Sequence, residues 1–400
     1  MNGLAITNKG MEDVCAKEIN ELIGGKQAVG DSVVEFELSK LEELCLLCYK
    51  SQSASRILYL LSSFSVEKGL TETVEKIRTS LDKTGLGEWI KKDSSFKVEC
   101  ERLGDHDFTS PELEKETGSL IVELVEKKQG FSPKAKMERP STVFYVYAKG
   151  SKGYLGIDFS GLDLGKRDYK LFGTTPGIKA PLAYALIRLA GIEKSQKAIT
   201  VVDCFSGCGI AVIEAALFLS QFPVNNYRKQ KMGFLSLPQL KDLGIDGFFK
   251  EIDSRSIDAK AKLFAIDKDM KNLSYAKKNA KIAGINKAIS FSRQDLEWLD
   301  TRFKKATVNF AISVMPVAGR SISIQELSKM LDEYFYQLDY IMKKDGIVAC
   351  LCIQKEQMIA SAVKRRFMLK EERKLYSGQQ EYSFLKLCRD PSAAKPVKKK

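Results

Sequence analysis

The sequence predicts an α/β chain in two parts: an N-terminal α+β module, then a doubly wound parallel sheet that ends in an antiparallel strand. Three observations predict it. Over the first 95 residues short apolar runs alternate with helical stretches, the pattern of a small α+β layer. The stretch Ile199-Thr-Val-Val-Asp-Cys-Phe-Ser-Gly-Cys-Gly-Ile210 reads as a buried strand, an acid, a glycine turn and a helix start, the front edge of a nucleotide pocket. Beyond it, Asp267 and Asp295 close or follow two further strands, so acids recur at successive strand ends. A chain of 400 residues is long enough for two or three domains with real cores.

The N-terminal elements follow from periodicity and punctuation. Residues 3–7 read as a strand, 11–24 as a helix stopped by Gly24-Gly25, and 33–36 as a second strand. Helices are expected over 39–50 and 69–80, with the apolar strand 55–61 between them. Phe96-Lys-Val-Glu-Cys100 alternates as a strand, and 102–110 forms a loop up to Pro111, a favoured residue at a helix start. The helix 112–128 turns Leu113, Ser119, Leu120, Val122, Leu124 and Val125 inward. A basic loop, 134–140, precedes the strand 142–147, and a turn at 149–153 leads to the strand 154–158. A helix is expected over 181–190.

The second half carries the chemistry. Strand 199–202 ends at Asp203, the turn Phe205-Ser206-Gly207-Cys208-Gly209 follows, and the apolar spacing of 210–217 is that of a helix packed back on the sheet. A dinucleotide fingerprint wants a Gly or Ala where Val212 stands, and a pyrophosphate does not welcome an acid at Asp203. An Asp there suits a cationic ligand such as the aminoacyl part of S-adenosylmethionine, which ranks a methyltransferase ahead of a dehydrogenase. The insertion 218–258 holds Asn226-Tyr-Arg-Lys-Gln-Lys-Met-Gly-Phe234, basic residues between aromatics that suit steering of RNA. Strand 261–266 ends in Asp267, placed to accept both hydrogen bonds of a ribose diol, and a helix through Leu273, Ala276 and Ala280 stops at Gly284. Strand 288–294 is followed by Asp295, placed to accept from an adenine amino group. Strand 308–313, a helix near 323–342, strand 346–353 and a hairpin pairing 370–376 with 382–388 complete the sheet.

Composition narrows the class. Hydrophobic residues are 44% and charged residues 29%, the values of an ordinary soluble protein. No apolar run approaches the roughly 20 residues of a membrane span, and the start lacks a signal-peptide plan, so a cytoplasmic chain with no membrane partner is expected. The net charge of +13 suits a polyanionic partner, although four of the charges sit in Lys395-Pro-Val-Lys-Lys-Lys400, expected to be a disordered tail over 391–400. Nine cysteines in such a chain are expected to be reduced thiols. Cys45 and Cys48 lie on a helix with no second pair at zinc spacing, so they read as small core residues and no metal is expected. Cys350 and Cys352 share one strand face. His106 is the single histidine, which leaves a histidine triad without partners.

Residues 96–160 resemble the THUMP domain of RNA-modifying enzymes. The likeness rests on Phe96-x-Val98, then Arg102-x-Gly104-x-His106-x-Phe108-x-Ser110, Gly118 in the next helix and the turn Arg139-Pro140. Residues 1–95 look like the ferredoxin-like layer that accompanies it. Asp158, Ser160, Gly161, Leu164, Arg167 and Tyr169 match the D-x-S-G-x-x-L-x-x-R-x-Y segment that joins THUMP domains to guanine-N2 methyltransferase domains in tRNA and large-subunit rRNA enzymes. The run 154–388 is similar to those enzymes, so the resemblance covers nearly the whole chain. It implies a Rossmann-like class I methyltransferase domain over 161–390 that binds S-adenosylmethionine through Asp203, Phe205, Ser206, Gly207, Gly209, Asp267 and Asp295. In that family the THUMP domain grips the 3′ end of a tRNA acceptor stem, which assigns Arg102, Lys134, Lys136 and Arg139 to phosphates, while His106 reads as a structural loop residue. The implied product is N2-methylguanosine in tRNA near the acceptor stem, with large-subunit rRNA as the nearest variant and a monomer as the acting form.

The chain departs from that family in two places. Thr175 stands where family members carry a His before the proline at 176. After the fourth strand, Asn-x-Pro-Tyr-Gly is replaced by Val314-Met-Pro-Val-Ala-Gly-Arg320, so only Pro316 and Arg320 keep their places. The family Asn aims the target amine and the Tyr stacks on the extruded base, and a valine does neither. Losing one placed polar contact typically costs about 10² to 10³ in rate. Backbone carbonyls around Met315 and Pro316 remain to orient an amine, so Met315, Pro316 and Arg320 are the catalytic candidates. The alternative is an RNA-binding protein that keeps the cofactor fold without catalysis.

Overall fold

The computed structural model describes residues 1–81, 84–173, 177–196, 198–319 and 322–390, which fall into two compact units. The tail 391–400, Thr175 and Arg320 lie outside the described residues.

The first unit comprises residues 1–7, 15–164 and 228–251. Its elements are β1 (Asn2–Thr7), α1 (Glu12–Ile23), β2 (Gln27–Gly30), β3 (Val33–Glu37), α2 (Glu42–Lys50), β4 (Ala54–Ser65), α3 (Leu70–Leu81), β5 (Ser95–Leu103), α4 (Ser110–Gln129), β6 (Lys134–Ala135), β7 (Thr142–Lys149) and β8 (Lys152–Asp158). The strands form one eight-stranded sheet in the order β2-β3-β1-β4-β8-β7-β5-β6. The pairing of β4 with β8, Leu58 opposite Asp158, runs the sheet without a break through residues 1–158. Buried Glu18 fixes the turn after α2 by accepting from Ser51 Oγ at 2.7 Å, Gln52 N at 2.8 Å and Ser53 N at 3.0 Å. A capping box between Thr109 and Glu112 starts α4. The buried face of α4 is Leu113, Thr117, Leu120, Ile121, Leu124 and Val125, so Thr117 and Ile121 take the inward places and Ser119 is exposed, one position off the expected stripe.

The insertion after the central helix is not an exposed loop. Residues 228–251 count with the first unit, Phe234 and Phe249 are buried, and Arg228 is itself buried and donates through Nη2 to Leu164 O at 2.9 Å. Arg228 therefore ties chain to chain; among its aromatic neighbours only Tyr227 is exposed. Gly161 has φ +68, and a Cβ there would lie 2.6 Å from Gly233 Cα, so that joint needs glycine.

The second unit holds residues 8–14, 165–227 and 252–400. It contains α5 (Ala180–Ala190), β9 (Thr200–Asp203) and α6 (Ile210–Leu219); the chain then passes three 3-10 turns and α7 (Ile245–Asp253). There follow β10 (Lys262–Asp267), α8 (Met270–Ile282), β11 (Ile289–Arg293), α9 (Leu299–Arg302), β12 (Val308–Val314), α10 (Ile324–Ile341), β13 (Met342–Cys352), α11 (Lys355–Lys364), β14 (Phe367–Ser377) and β15 (Gln380–Arg389). The sheet order is β11-β10-β9-β12-β13-β15-β14. All pairs are parallel except those of β15 with β13 and β14. The short elements β2, β6, α7 and α9 and the helix α11 lie outside the elements that the sequence pattern predicts.

The helices α5 and α6 cover one face, and all ten residues of α6 are buried. Its one charge, Glu214, accepts from Arg167 Nε at 2.9 Å and Nη2 at 3.2 Å and from Tyr169 OH at 2.6 Å. The R-x-Y pair of the joining segment is thus a buried clamp. Strand order reverses between β9 and β12, and it is at the carboxyl ends of such strands that doubly wound sheets bind ligands.

Candidate active site

A cavity of about 1240 Å³ lies at those carboxyl ends. The loop after β9 contributes Cys204 to Cys208, β10 contributes Asp267, the segment after β11 contributes Gln294 and Asp295, and the turn after β12 contributes Val314 to Val317. The end of β13 and Tyr382 on β15 complete the opposite side. Acids therefore cluster toward β10 and β11, and neutral side chains toward β12, β13 and β15.

The glycine turn is set by its neighbours. Gly207 has φ +51, and its amide donates to Asp267 Oδ2 at 2.9 Å. Asp267 Oδ1 accepts from Asp269 N at 2.9 Å and from Asn272 Nδ2 at 3.2 Å, so this carboxylate ties the turn to the start of α8. Gly209 has φ +85, and a Cβ there would meet Ala276 Cβ at 2.9 Å. It is glycine for the packing of α6 on α8, and it is not among the residues lining the cavity. Asn279, fully buried on α8, donates to Cys208 O at 3.0 Å and to Phe172 O at 2.9 Å, holding the turn from behind.

Ser206 is 4% exposed, lines the cavity, and its Oγ has no hydrogen-bond partner. A buried hydroxyl without a partner costs about 1–3 kcal/mol, so it marks a place where a polar ligand atom completes the site. With Asp267 and the exposed Asp295 on the same cavity, the residues present fit a nucleoside bearing a polar amino-acid arm. Phe205 lines the cavity and its ring packs on Tyr334, centroids 5.1 Å apart.

Asp203 sits elsewhere than its position at the strand end suggests. It is buried, it is not among the cavity residues, and its Oδ1 accepts from Ser313 Oγ at 2.8 Å and Phe205 N at 3.3 Å. Burial pushes its carboxyl up to about 7, against the Ser313 and Phe205 hydrogen bonds that pull it down. It links the glycine turn to the end of β12. No sequence signal marks Ser313 as its partner.

The turn after β12 is held by its backbone. Met315 N donates to Leu351 O at 2.9 Å, and Ala318 exchanges hydrogen bonds with the Gln354 side chain, 3.4 Å each. Among the described residues, the carbonyl oxygens of Met315 and Pro316 accept no hydrogen bond, and both residues line the cavity.

In the first unit, Arg102 Nη1 donates to Gly104 O at 2.9 Å and lies 3.0 Å from His106 Nδ1, while His106 Nε2 is 2.8 Å from Gly150 O. Arg102 and His106 knit their own loop. Lys134, Lys136 and Arg139 are exposed. The described residues hold no group of three or more His, Cys, Asp or Glu suited to a metal ion, and none of their helices is long and apolar enough to cross a membrane.

Comparison with known proteins agrees with this geometry. Residues 167–383 match the family described as RMKL-like, methyltransferase domain, and residues 72–158 match the THUMP domain. The tRNA (guanine(6)-N2)-methyltransferase of Methanocaldococcus jannaschii is 25% identical over 91% of this chain and 93% of its own length. The ribosomal RNA large subunit methyltransferase K/L of Vibrio campbellii is 27% identical over 73% of this chain but only 40% of its own length. The crystal structure of SMU.472 complexed with SAH shares the fold, with a TM-score of 0.78, 19% identity and coverage of 97% of this chain and 98% of that one.

Proposed function

The chain belongs to the RMKL-like methyltransferase family, and on that premise we propose that it methylates the exocyclic N2 of a guanine in tRNA near the acceptor stem. The single observation that carries the proposal is the cavity itself. Its lining includes Ser206, Asp267 and Asp295, which suit a nucleoside cofactor, together with Met315 and Pro316, whose carbonyl oxygens accept no hydrogen bond among the described residues. The cofactor, S-adenosylmethionine, supplies an electrophilic methyl group. Asp267 accepts the ribose hydroxyls, Asp295 the adenine amino group, and Ser206 Oγ supplies a donor and acceptor for the amino-acid arm. Carbonyl oxygens at Met315 and Pro316 accept the two hydrogens of the target amine and aim its lone pair, replacing a side-chain amide by fixed backbone. Arg320 is proposed to assist.

The substrate follows the relative that matches over 93% of its own length, which is named for guanine N2 in tRNA. We assign 1–95 to a ferredoxin-like region, 96–160 to the THUMP domain and 161–390 to catalysis, with Lys134, Lys136 and Arg139 on RNA phosphates. The protein is proposed to act as a monomer in the cytoplasm, where nine free thiols are at home. Incubation with labelled cofactor and unmodified tRNA, then nucleoside analysis, tests the proposal. Label in N2-methylguanosine supports it. Label in rRNA alone, or in another nucleoside, contradicts it.

A further inference from the structure

The helix α8 and the segment before α5 form a basic, aromatic shelf at the border of the cavity. Gly173 and Asn272 line the cavity, and their neighbours Phe172 and Lys271 carry the surface outward. Phe172 and Tyr275 stack, centroids 6.1 Å apart and planes 20° apart, with Lys278 Nζ 5.0 Å from the Phe172 ring centre and Lys271 Nζ 6.0 Å from that of Tyr275. Lys271, Tyr275 and Lys278 recur at helical spacing on one face of α8. Residues 268–287 hold six lysines against the single acid Asp269, a net +5 of the chain's +13.

A second observation marks this border as a docking surface. Leu171 is 69% exposed, Met270 56% and Trp298 58%, and each lies within two residues of a cavity-lining position. Large apolar side chains left in water around a functional cavity signal a macromolecular partner. The net +5 of residues 268–287, which hold Met270 and stack Tyr275 on the neighbour of Leu171, selects a polyanion, and aromatic rings among lysines suit the bases and phosphates of a nucleic acid strand.

We propose that the RNA strand flanking the methylated nucleotide runs over this shelf, with Lys271 and Lys278 on its phosphates and the Phe172–Tyr275 pair beneath its bases. This rests on the reading of the protein as an RNA methyltransferase. The surface supplies grip and register without reading sequence. It lies within the second unit, and it is distinct from the basic loop 134–140 of the first.

The test is equilibrium binding of a fluorescent unmodified tRNA to the full-length protein as a function of salt. K271E/K278E is compared with K343E/K344E, which makes the same charge change at the far end of β13, away from the cavity. The proposal expects K271E/K278E to weaken tRNA binding at least tenfold more than the control and to flatten the salt dependence by about two in slope, with cofactor affinity unchanged. Equal losses in the two variants overturn the shelf and leave the methyltransferase reading standing. Wild-type protein that binds cofactor but no RNA overturns the substrate reading, and the shelf with it.

Discussion

Arg167 grips both carboxylate oxygens of Glu214, through Nε at 2.9 Å and Nη2 at 3.2 Å, with both side chains out of reach of solvent. Glu214 is the one charge on a helix otherwise made of apolar residues, so the pair fixes where the joining segment meets α6. Removing one partner leaves an uncompensated buried charge. Arg167→Met is expected to lose about 3–5 kcal/mol of stability, read by urea unfolding. Arg167→Lys keeps the charge without the fork and is expected to fall between the two.

Asp203 makes stability depend on pH in a stated direction. Its carboxyl titrates near 7 in the folded protein and about 3.9 when unfolded, so between those values the folded state binds the extra proton. The stabilisation is full below the unfolded value and is lost as pH rises through about 7. Asp203→Asn keeps an acceptor for Ser313 Oγ and Phe205 N and carries no charge to bury. It is expected to lose this part of the pH dependence and to match or exceed wild-type stability at pH 8. Thermal melts of the two proteins from pH 5 to 8 check it.

Gly209 cannot take a side chain cheaply. Alanine there combines φ +85 with a Cβ 2.9 Å from Ala276 Cβ. Gly209→Ala is expected to cost about 1–3 kcal/mol and to weaken cofactor binding by displacing the turn. Calorimetric titration beside a melting curve separates the two effects.

How much of this was legible in the chain depends on whether the signal is local. The glycine turn, Asp267 and Asp295 were readable because a strand end followed by Gly or Asp is a local pattern that puts the residue at the sheet's carboxyl edge. The terminal hairpin came from the same patterning, whereas the order of the strands in the sheet rests on long-range pairing. Asp203 was legible in place but not in partner, because a strand-end acid faces either a ligand or a neighbouring strand, and Ser313 is 110 residues away. Ser206 was named with the turn, yet only burial shows that its hydroxyl lacks a partner. Arg228 looked like an exposed cation because its acceptor is a main-chain carbonyl, Leu164 O, which leaves no mark in a sequence.

Asp267 carries two roles, ligand acceptor and tether of Gly207 N. Asp267→Ala is expected to weaken S-adenosylmethionine binding at least tenfold, about 1.4 kcal/mol or more, by calorimetry. Ser206→Ala is expected to weaken it less while raising apo stability, since it removes a hydroxyl that the free protein leaves unpaired.

In the proposed reaction the turn Val314 to Val317 supports transfer through its backbone despite its altered side chains. Single-turnover transfer of a labelled methyl group to unmodified tRNA, at saturating cofactor, tests it most directly. N2-methylguanosine is expected from wild-type protein and is expected to be lost in Asp267→Ala. Wild-type protein that binds both cofactor and tRNA yet transfers no label would contradict it.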